Sequence, residues 1–453
     1  MNNDAISRRR FIKVAGATTG SVALNTMTSG LAAGSVLGAN ERIQFGVIGC
    51  GGMGTGHVGS LNSRGDKDNV RVVGVSDVYR RRITRATGIC KGEGYSDYRK
   101  LLDNKEIDAI LIATPDHWHA IATVLACQAG KDVYVEKPLA HNVREGRAMV
   151  NAARRYNRIV QAGTQHRSSA HFREVEKIVQ SGALGKVNWV RVWNYTNIFP
   201  EGIGHEPDSE PPPGLDWDFY LGPAPSVPFN RKRFLVTYRW FWDYSGGYIT
   251  DFGTHRLDTV QQVMGVSAPK TIAASGGRFS LRDDGEIPDV LQVTYEYPNF
   301  VMSYETCLLN GHGVGGRTPA MKYYNAKGAE DRPNGMAFYG TNGALYADRI
   351  GYEIYPEPRR KGSSEEPVER KQMNTTDATA LHAANFIDCV RTRNKPAAEV
   401  EIGHRSTTVA HLGNIAFKTG KKLHWNAGTE EFVDDGDASK LLARQARKPW
   451  DLI

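Results

Sequence analysis

Short apolar, β-branched runs alternate with longer amphipathic stretches through the first third of the chain. Ile43 to Ile48, Val70 to Val75, Ala109 to Ala113, Val133 to Val135 and Arg158 to Ala162 read as strands, with Ala120 to Gly130 and Glu145 to Tyr156 as helices among them. Strands separated by helices of about 10–15 residues predict a parallel sheet covered on both faces. The expected fold class is therefore α/β, with an N-terminal, doubly wound Rossmann-type sheet.

After Gly163 the pattern changes. A helix, Phe172 to Gln180, leads into a long strand, Val187 to Tyr195, where Val187, Trp189, Trp193 and Tyr195 share one face with Arg191 as the only interruption. That aromatic face is expected to pack on the core. A Pro- and Gly-rich excursion follows from Pro200 to Pro228, of a length that suggests a lid or binding loop. Strands are expected at Thr271 to Ala274, Val290 to Tyr297, Phe300 to Thr306, Met336 to Tyr339 and Ala344 to Asp348, and helices at Ala378 to Thr392 and Ser406 to Thr419. This second part reads as a C-terminal α/β domain with an open, mostly antiparallel sheet. The expected organisation is a leader (1–39), a nucleotide-binding domain (40–162), a substrate and oligomerisation domain (163–425) and a C-terminal tail (426–453).

The leader carries its own signal. Ser7-Arg8-Arg9-Arg10-Phe11-Ile12-Lys13 precedes a weakly apolar stretch, Val14 to about Leu37, rich in Gly, Ala, Ser and Thr. This is the form of a twin-arginine export signal, with removal expected within Leu31 to Asn40; the plainer alternative is a disordered N-terminus or a short surface helix. Export by that machinery implies a protein that folds first and then works in the periplasm or outside the cell. The five cysteines, Cys50, Cys90, Cys127, Cys307 and Cys389, are odd in number and contain no Cys-x-x-Cys, so no disulfide framework is implied. Of the formal net charge of +8, residues 1–39 contribute four cations and one acid, which leaves the remainder near +5. No basic run interleaved with aromatics accompanies that charge, so nucleic acid is not an expected partner.

Candidate chemistry begins at Gly49-Cys50-Gly51-Gly52-Met53-Gly54, between a strand and a helix. There glycines permit a tight turn and close backbone approach to a pyrophosphate at the helix N-terminus. Asp77 closes the next strand, where a carboxylate accepts hydrogen bonds from ribose hydroxyls and favours NAD; Arg80, Arg81 and Arg82 leave NADP open, with Arg81 as the candidate contact. Thr114-Pro115-Asp116-His117-Trp118-His119 ends another strand, so Thr114, Pro115, His117 and His119 are expected to line the nucleotide. No acidic or cysteine cluster completes a metal sphere around the two histidines. Glu136-Lys137-Pro138 ends the next strand, and a partly desolvated Lys137 there would donate to a substrate hydroxyl and ease its proton loss. Farther on, Asp251, His255 and Asp258 fall at i, i+4 and i+7, one face of a helix. That stripe is either a second chemical cluster or a capped helix start, with Asp251 as cap and His255 as a satisfied buried histidine.

The glycine loop, the strand-ending Glu136-Lys137-Pro138 and the Asp251-x-x-x-His255 helix together resemble the Gfo/Idh/MocA oxidoreductases, from Arg42 to about Trp425. The resemblance implies a Rossmann domain plus an open-sheet α/β domain whose sheet face makes dimers or tetramers. It further implies that Lys137 assists proton transfer, that His255 is the acid/base and that Asp251 orients the substrate or His255. Glu136 and Gln165 are expected beside the nucleotide, and His166, Tyr195, Trp217, Arg239 and Trp242 as carbohydrate contacts. The implied activity is NAD(P)-dependent hydride transfer at a sugar or polyol hydroxyl carbon, with His255 near the ordinary histidine pKa of about 6.5. The nicotinamide is expected to be tightly bound, since no free pool is expected outside the cytoplasm. Two alternatives stand beside it: a redox-neutral glycosidase, lyase or epimerase using NAD transiently, and a non-catalytic sugar-binding protein.

Overall fold

The computed structural model describes residues 41–328, 330–358 and 367–451. The leader, and with it the export-signal expectation, lies outside the described residues.

Strands β1 (Ile43–Ile48), β2 (Val70–Ser76), β3 (Glu93–Tyr95), β4 (Ala109–Ile112), β5 (Asp132–Val135) and β6 (Val160–Ala162) form a parallel sheet in the order β3-β2-β1-β4-β5-β6. Alternate side chains divide between two cores. Phe45, Val47, Val72 and Tyr134 face α1 (Gly52–Ser63) and α2 (Arg80–Cys90), while Ile110, Ile112, Val133 and Val135 face α3 (His119–Gln128) and α4 (Val143–Arg155). The strand order reverses between β1 and β4. The loops after these two strands therefore diverge and leave a crevice at their C-terminal ends, where ligands of such sheets bind.

The second sheet has ten strands. Its order is β14-β13-β12-β11-β7-β10-β9-β8-β15-β16, with β7 (Val187–Tyr195), β8 (Thr271–Gly277), β9 (Val290–Glu296), β10 (Val301–Cys307), β11 (Asn334–Gly340), β12 (Gly343–Asp348), β13 (Gly351–Pro356), β14 (Lys371–Asn374), β15 (Leu423–Asn426) and β16 (Glu431–Phe432). Every pairing is antiparallel except β7 with β10. Helices α5 (Ala170–Gln180), α6 (Thr254–Met264) and α8 (Val400–Thr419) cover one face, packing Val175, Leu257, Val260 and Leu412 on Val190, Val293, Met302 and Phe338. Helix α7 (Thr379–Thr392) lies elsewhere: its Phe386, Ile387 and Val390 join the core on the α1/α2 side of the first sheet.

The expected core face of β7 is reversed. Val190 and Val192 point into the core, whereas Trp189 is 42 % exposed and stacks on Tyr339, ring centroids 4.4 Å apart. A register shift opposite Gly340 returns Val187 to the core side, which strict alternation does not permit. Aromatic content misleads here because residues 308–328 and 330–333 run over the outer face: the Trp193 indole donates to the Arg332 carbonyl at 2.7 Å and is buried without joining the core.

The Pro-rich excursion is a strap with its own aromatic core. Trp217, Tyr220, Phe229, Phe234, Phe241 and Tyr244 pack together and against Val78 and Tyr79, just beyond β2. Backbone bonds fasten it, from Asp216 N–H to Val78 O and from Arg80 N–H to Gly214 O, both 2.9 Å. Residues 426–451 are packed as well, and Trp450 wedges between Trp118 (4.8 Å) and Phe219 (5.2 Å).

Candidate active site

The glycine loop divides its labour by position. Gly49 has φ +87°, and a Cβ there would meet the Ala113 backbone at 2.7 Å; a Cβ on Gly54 would lie 1.8 Å from Gly49 O. These two glycines let the loop and α1 close on each other. At Gly52 a Cβ would meet nothing within 4 Å, so its backbone faces open space. The first turn of α1 has no side-chain cap and no acidic residue, which leaves N–H donors for an anion. Asp77 accepts from Cys50 N–H at 2.7 Å and Tyr79 N–H at 2.9 Å, and burial raises its pKa. The donor set, the open glycine and the carboxylate fit a dinucleotide.

A crevice of about 500 Å³, lined by Gly49, Asp77, Ser96, Tyr98 and Phe219, opens into a cavity of about 1520 Å³. The two share Gly51, Arg82, Thr114, Pro115 and Tyr220, so they are one continuous space. Gly52, Met53, Glu136, Lys137, Gln165, Arg239, Asp251 and His255 all line the larger part. Residues from the strand ends of the first sheet and from the turns and helix that cover the second thus meet around one volume.

Lys137, at the end of β5, is ion-paired and hydrogen-bonded to Asp251 Oδ1, and Arg239 Nε lies 3.2 Å from Asp251 Oδ2. Burial alone would raise the Asp251 pKa, but the two cations outweigh it and hold the carboxyl at about 2. His255 is 6 % exposed, and burial, reinforced by His166 and Lys137, pushes its pKa well below the ordinary value. It is a neutral imidazole at neutral pH, and its Nδ1 has no hydrogen-bond partner among the described residues. Its ring stacks on His166 (5.2 Å), which stacks on Phe172 (4.6 Å). Glu136 is bound by His57 at 2.6 Å, which offsets the effect of burial and keeps it ionised.

Asp251 does not cap a helix. Ile249–Gly253 form a π-helical turn ahead of α6, at the point where a Cβ on Gly253 would meet the Tyr304 ring at 2.9 Å. Such turns break the simple i, i+4, i+7 arrangement. Asp258, one turn beyond His255 on the regular part of α6, leaves the cavity and binds Arg167 at 2.9 Å in the core.

Other expected contacts lie outside the cavity. Arg81 is exposed on α2, and Arg82 is the arginine that reaches the crevice, 3.8 Å from Asp77 and over the Phe234 ring. His117 bonds the Tyr220 carbonyl at 3.0 Å, and His119 bridges the carbonyls of Pro138 (2.8 Å) and Thr114 (3.0 Å); both brace loops. His166 stands behind His255, its Nδ1 on Thr259 Oγ1 at 2.9 Å. Trp217 is consumed by the strap's core, its indole donating to Val227 O. Trp242 faces a different cavity, under the Lys418 ammonium at 3.9 Å, and Tyr195 donates to Glu305 at 2.6 Å in a separate chamber. The cavity instead recruits Tyr238, Tyr248, Tyr324 and Arg349, which no motif marks. Behind Tyr238, the buried Asp116 accepts from its hydroxyl at 3.2 Å and from Ser245 Oγ at 2.5 Å.

Comparison with known proteins agrees with this architecture. The description "Oxidoreductase family, NAD-binding Rossmann fold" matches residues 43–164, and "Oxidoreductase family, C-terminal alpha/beta domain" matches 168–298 and 353–452. The uncharacterized oxidoreductase YrbE of Bacillus subtilis is 26 % identical over 266 residues, covering 58 % of this chain and 66 % of that protein. Inositol 2-dehydrogenase of Rubrobacter xylanophilus is 33 % identical over 170 residues, 37 % of this chain and 48 % of its own length. These matches thus span about half to two thirds of the curated relatives' length. The structure of the WlbA dehydrogenase from Bordetella pertussis, in complex with NADH and UDP-GlcNAcA, superposes with a TM-score of 0.62 at 18 % identity over 85 % of this chain and 99 % of that one. With its first sheet, its glycine loop and the helices α5, α6 and α8 inside the matched ranges, the chain belongs to the Gfo/Idh/MocA oxidoreductase family.

Proposed function

We propose that the protein is an NAD(P)-dependent oxidoreductase of a sugar or polyol hydroxyl, holding its nicotinamide tightly and working outside the cytoplasm after twin-arginine export, as a homodimer or homotetramer. The observation that carries the reaction is the convergence of Lys137, Asp251 and His255 on one cavity continuous with the dinucleotide crevice. The inositol dehydrogenase relative and the similar structure holding NADH with UDP-GlcNAcA support a polyhydroxylated substrate.

The α1 N-terminus with Gly51 and Gly52 would hold the pyrophosphate, and Asp77 a ribose. The bound nicotinamide supplies the acceptor for the hydride that leaves the carbinol carbon. The chain itself handles the proton. Neutral His255 accepts it from the hydroxyl, and the Phe172/His166 stack fixes the ring that receives it. Lys137 spends one of its three donors on Asp251 and keeps two for the substrate oxygen as negative charge develops there. Asp251 and Arg239 hold that ammonium in place.

Mass spectrometry of the nucleotide released on denaturation, followed by near-ultraviolet absorbance of the native protein against a panel of sugars and polyols, tests the proposal. A nicotinamide dinucleotide that survives desalting and is reduced by one compound class is the expected result. Glycoside cleavage without net absorbance change, or binding without turnover, would sink it.

A further inference from the structure

We infer that the active cavity continues past Tyr248 into a second chamber that seats a neutral glycosyl unit, so that the substrate is a glycoside or oligosaccharide rather than a free monosaccharide. The inference rests on the sugar-oxidoreductase reading above.

The chamber measures about 1370 Å³ and is lined by Tyr195, Thr196, Asn197, Tyr248, His312 and Asn325, among others. Tyr248 lines it and the catalytic cavity alike, and Tyr324, on the catalytic side, is followed directly by Asn325 on the other. The two spaces therefore meet at a seam. About 720 Å³ of that space is open to solvent-sized groups, within the about 300–1,000 Å³ of pockets that hold one small ligand, so the chamber is large enough for a further ligand moiety.

Its lining indicates which kind. Lys327 is offset by Glu330 and Asp331, and Asp331 is itself committed to the N–H groups of Lys327 (2.9 Å) and Gly328 (2.7 Å). A pyrophosphate-linked sugar would need an excess of cations there. Two tyrosine rings with Asn, Thr and His side chains instead suit the apolar faces and hydroxyls of an uncharged sugar.

The chamber's outer wall is built by residues 311–328 and 330–334, inside the segment 299–352 that the family match does not cover. Lys137, Asp251 and His255 lie in the matched parts. The chemistry thus sits on shared framework and the chamber's outer wall on an element outside it. That element is firmly set. The buried Arg332 pairs with Glu353 at 2.6 Å and bonds the hydroxyls of Tyr323 and Tyr355, both 3.1 Å, while its carbonyl takes the Trp193 indole.

The experiment compares glucose, galactose and N-acetylglucosamine with their methyl glycosides and their β-1,4- and α-1,4-linked di- and trisaccharides, following nicotinamide absorbance of the holoprotein. The expected result is a kcat/KM at least about tenfold higher for one linked series than for its monosaccharide. The double variant His312→Ala/Asn325→Ala should abolish that preference while leaving the monosaccharide rate in place. Equal handling of free and linked sugars by the native protein overturns the chamber's role yet leaves the oxidoreductase reading standing. If no sugar changes the absorbance, that reading fails, and calorimetry of the trisaccharides against the holoprotein decides separately: absence of binding overturns the chamber as well, whereas binding that His312→Ala/Asn325→Ala removes supports it.

Discussion

Removing one charge from the Lys137, Asp251 and Arg239 cluster should separate its chemical from its structural role. Asp251 is held at about 2 against an ordinary 3.8, which corresponds to about 2 kcal/mol in favour of its ionised form after burial has been opposed. Asp251→Asn keeps the shape but leaves Lys137 and Arg239 as two part-buried cations without their shared counter-ion, and stripping one partner from a buried pair typically destabilises by about 3–5 kcal/mol. Lys137→Ala, by contrast, leaves Arg239 and Asp251 still paired at 3.2 Å, and should cost only about 1–2 kcal/mol. Both variants should lose turnover by about 10²-fold or more, because one lacks the donor and the other no longer orients it. The assay is urea unfolding of the holoprotein at fixed nucleotide concentration, paired with single-turnover absorbance. A Lys137→Ala protein less stable than Asp251→Asn, or an Asp251→Asn protein with native turnover, would refute the charge-cluster argument.

Three further outcomes are expected. Because burial and neighbouring cations favour neutral His255, the acid limb of kcat/KM for oxidation should lie below pH 6.5, and His255→Ala should reduce the rate by about 10²-fold at neutral pH; an inflection at or above 6.5 in the native profile would contradict this. His382 and His411 are both pushed down to about 4 by burial. The unfolded chain therefore binds protons first, so stability should be full above pH 6.5 and fall as pH drops toward 4. Each histidine contributes up to about 3 kcal/mol to that loss, and a urea midpoint unchanged between pH 7 and 4.5 would argue otherwise. Gly54→Ala should destabilise the nucleotide domain by about 1–3 kcal/mol, since its methyl would collide with Gly49 O. Gly52→Ala, with open space around it, should keep the melting temperature of the nucleotide-free protein but weaken nucleotide retention in equilibrium dialysis.

The chemical motifs were legible wherever a local backbone event marks them. A strand ending in Gly49 or in Glu136-Lys137 announces a ligand-facing turn, because the sheet's own geometry delivers those positions to one edge. Asp251 and His255 were legible as a pair, although the π-helical turn between them could not be read from spacing. Tyr238, Tyr248, Tyr324 and Arg349 were not, since they reach the cavity through tertiary packing of the strap and of the segments around Tyr324 and Arg349. Arg81 and Arg82 differ by one position on α2, about 100° of rotation, and only the packed helix shows which one faces Asp77. Aromatic side chains were the least reliable guide. Trp217 and Trp242 have the composition of a sugar site, yet Trp217 stabilises the strap and Trp242 shelters Lys418, while Tyr195 lines the neighbouring chamber rather than the cavity of Lys137 and His255. The faces of β7 were exchanged for the same reason: hydrophobic weight favoured the tryptophans, whereas the core selected Val190 and Val192.

Helix α7 has a bearing on how the chain can be made. Phe386 sits 6.2 Å from Phe45 and 5.8 Å from Tyr134, sealing a layer of the first sheet with residues that follow it by more than two hundred positions. During vectorial synthesis the nucleotide-binding half therefore emerges with part of its interior bare, and that layer is completed only once α7, more than two hundred residues farther on, has left the ribosome. A fragment ending near residue 165 should expose the layer and aggregate.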